Sequence, residues 1–286
     1  MFSSYKLKRK FNEHRASKNF MHKRESFIRS VREHVEMTRC SDLLLHREKK
    51  LLSQYGEGGL IASLLSEFGT SHGSTLEFGF SIFENNSIAS LLASNRKGFY
   101  IDGSGAEVAK ANAMIRKAEL SDRISITESF ITKSNINDTI RSFGMSGEID
   151  YLSIDIDGND YWIWQAIEVI HPRIVSVEYN ASFGPIASVS TPYSDDFVRH
   201  NFHKSGLGHG ASFQALISLG VDKGYRCLGA DSTGLNLYFL RSDISSVLTS
   251  DTSEEVVFHP HLERLVRGIS QIDQESITKS LPIVEV

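Results

Sequence analysis

The chain has 286 residues, 40% hydrophobic and 23% charged, the composition of an ordinary soluble globular protein. No run approaches the roughly 18 apolar residues that span a bilayer, and the N-terminus lacks the apolar stretch of a secretory signal. Cys40 and Cys227 are too few and too far apart for a disulfide framework or a cysteine metal site, so a reducing cytoplasm is the expected compartment. The net charge of −4 is unevenly spread: residues 1–50 carry 14 Lys and Arg against 6 Asp and Glu, and the remainder stands at −12. Such a basic arm fits nucleic acid, an anionic surface, the acidic body itself or a second subunit. The acids inside it (Glu13, Glu25, Glu33, Glu36) and the lack of a nucleic-acid motif argue against nucleic acid.

Residues 20–50 read as helix, with Phe27, Val31, Val35 and Leu43–Leu45 set among charges. Glu57–Phe68 is an amphipathic helix. Strand and helix signals then alternate: strands at Thr75–Gly79, Gly98–Asp102, Arg123–Thr127, Ile149–Asp155 and Arg173–Glu178, with helices at Glu84–Asn95, Ala106–Leu120, Ile136–Phe143 and Asp160–Ile170. That alternation predicts an α/β fold with a doubly wound, mostly parallel sheet. Residues 180–209 form a long Gly-, Pro-, Ser- and His-containing loop, of the kind that usually carries function. A helix at Ala211–Lys223 and a hairpin of Tyr225–Ala230 and Leu235–Leu240 complete seven strands. The expected organisation is a basic helical extension (1–50), the α/β domain (51–243) and a partly helical tail (244–286). The tail has a helix near Leu262–Ile272 and an apolar end, Leu281–Val286, suited to docking on the body or a neighbouring subunit.

The segments SQYGEGGLIASLL, TLEFG, ENNS, FYIDGS, YLSIDIDGNDYWIWQAI and VSVEYN resemble the FkbM-type branch of the class I S-adenosylmethionine-dependent methyltransferases over about residues 52–241. The resemblance implies a Rossmann-like sheet that binds S-adenosylmethionine beyond the strand ends. Glu77, Phe78 and Gly79 would then lie at the first loop near the methionine portion, and Asp102 would hold the ribose, with Gly103 and Ser104 beside it. Glu128 and Ser129 would lie near adenine, and Asp155 would face the methionine amine or a metal. The sequence departs from the superfamily's E-x-G-x-G-x-G pattern, with Ser81 and Phe83 at the second and third glycine positions.

Asp155 and Asp157 are two residues apart at one strand end, and Glu178 and Asn180 end its expected neighbour. Carboxylates and amides so placed suit a hard divalent cation such as Mg²⁺. By similarity to catechol-type methyltransferases, Asp157, Glu178 and Asn180 are the expected ligands, and the ion would lower the pKa of a substrate hydroxyl. The alternative is that Asp157 or Asn159 caps the following helix while Asp155 bonds loop amides. His200, His203 and His209 lie in or beside the long loop, and His209, in GHGAS, is the expected general base. Asp155, Asp157 and His209 are thus the candidate catalytic residues, with Tyr161 and Tyr193 as possible pocket walls. The expected function is O-methylation of a small-molecule or glycosidic hydroxyl by a homo-oligomer. The alternative is a binding or scaffold protein on the same fold.

Overall fold

The computed structural model describes residues 22–38, 44–80, 85–245 and 256–286. Ser81 and Phe83, where the glycine pattern breaks, lie outside the described residues, as do Cys40, Glu13 and the start of the helix expected from Glu84. In chain order the elements are α1 (22–38), α2 (Glu57–Phe68), β1 (Ser74–Phe78), α3 (Ile88–Ala93), β2 (Lys97–Asp102), α4 (Gly105–Lys117) and β3 (Ile124–Glu128). Then come α5 (Ile136–Ser142), β4 (Gly147–Ile154), α6 (Asp160–Ala166), β5 (Ile170–Glu178), β6 (Val189–Ser190), α7 (Arg199–Phe202) and α8 (Phe213–Asp222). The hairpin β7 (Tyr225–Ala230) and β8 (Asn236–Arg241) is followed by α9 (Ser242–Ser245), α10 (Leu262–Val266), α11 (Gln271–Thr278) and β9 (Val284–Glu285).

The main sheet has the order β3-β2-β1-β4-β5-β8-β7. Pairings from β3 through β5 are parallel, and β8 runs antiparallel to both β5 and β7. This is the seven-stranded class I methyltransferase arrangement expected from the sequence. The order reverses between β1 and β4, where an open α/β sheet forms its ligand crevice.

Alternation of side chains sends Leu76, Phe78, Leu152, Ile154, Val175 and Val177 into the largest core cluster, against Ile163, Trp164 and Leu216 of α6 and α8. The opposite face carries Tyr151, Ile174 and Tyr238 beneath Leu60, Leu64 and Leu65 of α2. Both faces are therefore covered, as a parallel sheet requires. Val31 of α1 packs with Leu51, Ala62 and Ala89 behind that layer. Among the described residues no helix is long and apolar enough to cross a membrane.

Two expected boundaries are corrected. The helix opening at Asp160 stops at Ala166 rather than Ile170, because Ile170 already begins β5. Pro172 biases His171 to extended backbone. It is tolerated within β5 because pairing with β8 begins only at Ile174. The single tail helix expected near Leu262–Ile272 is two helices broken at Gly268, whose φ is +83°. The apolar C-terminus docks on the body, with β9 pairing antiparallel to β6.

Candidate functional site

A cavity of about 480 Å³ opens at the carboxyl ends of β1, β2, β4 and β5. Its size falls within the usual range for ligand pockets. Gly79 at the end of β1 lines it. With φ at +68°, a Cβ there would sit 1.5 Å from the Asp155 carbonyl oxygen, so the close approach of the β1 and β4 ends demands glycine. Asp102, Gly103 and Ser129 line the same wall, beside the half-exposed ring of Phe130. The Asp102 carboxylate accepts the Ser104 amide at 2.6 Å, and Ser104 itself caps α4 through the Glu107 amide. A carboxylate has about four acceptor positions, so Asp102 keeps capacity for ligand hydroxyls.

Other expected cofactor residues stand back from the cavity. Both Glu77 oxygens are taken by Asn86 and Ser87 amides and the Ser87 hydroxyl at the entrance to α3, and Phe78 is wholly buried in the core. Burial pushes the Glu77 pKa up to about 7 against these hydrogen bonds. Ser104 and Glu128 do not line the cavity, and Glu128 packs beside Gly105.

The acidic end is built from the β4 and β5 tips. Asp155, Asp157 and Glu178 all line the cavity. The turn between β4 and α6 is held by Asp160, whose carboxylate accepts the Ile156 amide at 2.8 Å and the Gly158 amide at 2.9 Å. That leaves Asp157 in a left-handed conformation (φ +57°), paired at 2.6 Å with Arg199 of α7. Asn159 occupies the N-cap position of α6 without a side-chain capping bond, its amide donating instead to the Ser194 carbonyl, and the Asp157 carboxylate is engaged by Arg199. Burial raises the Asp155 pKa well above its ordinary value, followed by the charges of Glu178 and Asp160. Burial likewise raises Asp160 to about 8 and Glu178 to about 7.

Asn180 is a correction. Its Oδ1 accepts the Ser182 amide and the Arg264 guanidinium, both at 3.1 Å, while its Nδ2 donates to the Leu207 and His209 carbonyls. With both ends engaged, it organises the loop after β5 rather than a metal. His209 is a second correction. It is 1% exposed, does not line the cavity, and lies behind Glu178 with Nδ1 3.6 Å from Glu178 Oε2. His200 and His203 also stand outside the lining. So do Tyr161, packed against Trp162, and Tyr193, whose hydroxyl accepts the Lys133 amide.

Among the described residues, two acid-containing groups place ligand atoms within 4.8 Å of one another: Asp157–Glu178–His209 and Asp155–Asp160–Glu178. Residues not anticipated from sequence complete the walls: Phe197 and Arg199 from the long loop and α7, and His261 and Glu263 from the C-terminal segment. An aromatic residue just past a strand end, Phe130, and the position of Arg199 inside the long loop were available signals. Nothing in the sequence pointed the tail at the cavity.

No protein-family model matches the sequence, and no curated protein matches it. The chain is similar in structure to an O-methyltransferase from Bacillus cereus in complex with SAH (TM-score 0.45, 13% identity, 76% of this chain and 91% of that one). It is also similar to an SAH-bound methyltransferase from Podospora anserina (TM-score 0.44, 16% identity, 74% and 87%). A third is an O-methyltransferase family protein from Burkholderia thailandensis (TM-score 0.40, 13% identity, 64% and 54%), of which this chain spans about half the length.

Proposed function

We propose that the chain is an S-adenosylmethionine-dependent O-methyltransferase of the FkbM-like branch, acting on a hydroxyl of a small-molecule or sugar-containing acceptor. The observation that carries this reading is one continuous cavity joining Asp102 at the tip of β2 to Asp155 and Glu178 at the tips of β4 and β5. The wall fits the cofactor by its donor set: a carboxylate for ribose hydroxyls, a glycine at 103 whose Cβ position meets only Phe130, and an acid for an ammonium group. S-adenosylmethionine supplies an electrophilic methyl group when bound. Asp102 would hold the ribose, Ser129 and Phe130 would border the base, and Asp155 would meet the amine. Glu178, whose side chain lines the cavity, accepts the acceptor hydroxyl and its proton. Positioning dominates such a transfer, because charge is consumed rather than created.

A divalent ion is a second reading of the acidic end, favoured by the mutual approach of Asp155, Asp160 and Glu178. Those three carboxylates would hold it, in place of Asp157, Glu178 and Asn180. Calorimetric titration with S-adenosylhomocysteine, with and without Mg²⁺, tests both readings. Binding that Mg²⁺ leaves unchanged removes the metal. Absence of binding under either condition removes the methyltransferase and favours a binding or scaffold protein. A cytoplasmic homo-oligomer remains part of this proposal, with mass by light scattering as its check.

A further inference from the structure

Arg264 of α10 is a cation brought by the C-terminal segment into the floor beneath the acidic end. It is 7% exposed and donates to three uncharged acceptors: Asn180 Oδ1, the Ser182 hydroxyl, and His209 Nε2 at 2.9 Å. Burial lowers its pKa only to about 10, so it stays charged at neutral pH. A guanidinium has donors and no acceptor, so the nitrogen facing it must present a lone pair. The proton of a neutral His209 is therefore on Nδ1, which looks toward Glu178 Oε2. Both of these atoms are buried and, among the described residues, have no hydrogen-bond partner at their 3.6 Å separation. The ring stays neutral because it is buried and because Arg199 and Arg264 oppose a further positive charge. The backbone is held as well, since the His209 carbonyl accepts from Asn180.

We propose that Arg264 is a positioning residue that locks His209 as the Nδ1–H tautomer, making the imidazole a hydrogen-bond donor behind Glu178. Glu178, and not His209, then meets the acceptor hydroxyl. A ring with its proton on Nδ1 has no lone pair for an ion there. Of the two groups around Glu178, only the all-carboxylate one can then gather a cation. The tautomer stands independently of the methyltransferase reading; the role given to Glu178 rests on it.

The test is a long-range ¹H–¹⁵N correlation spectrum of the full chain at neutral pH, with His209 assigned by its absence from His209→Gln. The expected spectrum has a pyrrole-type Nδ1 and a pyridine-type Nε2. In Arg264→Met the pattern should move toward the opposite tautomer or average between the two, and in Arg264→Gln, which retains a donor, it should persist. A pyridine-type Nδ1 in the parent protein overturns the proposal. So does an unchanged His209 pattern in Arg264→Met. Should Arg264→Met fail to fold, the parent spectrum still decides the tautomer and Arg264→Gln still tests its cause. Failure of the methyltransferase reading would appear elsewhere, as absent S-adenosylhomocysteine binding by the parent protein.

Discussion

Glu77, Asp160 and Glu178 are carboxyls that burial holds partly protonated near neutrality. A carboxyl whose pKa is higher in the folded than in the unfolded chain makes the native state bind more protons. Its favourable contribution is complete below the unfolded value and is lost as pH rises through the folded one. Thermal stability should therefore decline between about pH 5 and pH 8. Glu178→Gln should flatten that decline, raising Tm at pH 8 by about 2–4 °C for each kcal/mol relieved. A melting series across pH checks both, and a Tm that rises steadily to pH 8 would contradict them. Among single residues, Asp102, Asp155 and Glu178 were legible because strand ends in a parallel sheet converge on one crevice. The spent state of Glu77 and Asn180 was not, because spacing cannot tell which oxygen a nearby backbone amide claims first.

At the scale of elements, the β1–α3 and β4–α6 turns are the parts with least tolerance. Gly79→Ala combines a left-handed backbone with a side chain driven into the Asp155 carbonyl. Strain and overpacking together should cost roughly 2–6 kcal/mol. Urea denaturation reads this directly, and an unchanged midpoint would mean that β1 and β4 end farther apart than described. Asp160→Asn should loosen the turn presenting Asp157, because one of the two carboxylate oxygens that accept backbone amides becomes a donor; a loss of about 1–3 kcal/mol is expected in the same assay. The strand sequence was readable from apolar runs, and Glu57–Phe68 has the bounds its amphipathic pattern gave. The helix after Asp160 was overextended because Ile167–Ile170 keeps an apolar pattern compatible with either state, and only tertiary pairing with β4 decides it.

Across the whole molecule, the C-terminal segment is built into the site. His261 and Glu263 line the cavity, Arg264 anchors the loop after β5, Gln274 accepts the Ser182 hydroxyl, and β9 pairs with β6. Removing residues 256–286 would leave several buried polar groups unpaired, at about 1–3 kcal/mol each, and should lower Tm by roughly 10 °C or more. Sequence patterning showed helices in this segment but not their destination, because contacts some 80 residues distant leave no local period. Calorimetric titration with S-adenosylhomocysteine of the parent protein and of Asp102→Ala decides whether the wall formed by Asp102, Gly103 and Ser129 holds the cofactor. Loss of hydrogen bonds to a charged acceptor is worth about 1.5–3 kcal/mol. Micromolar binding by the parent, weakened about 10- to 100-fold in the variant, is the expected result. No binding by the parent, or equal binding by both, would contradict it.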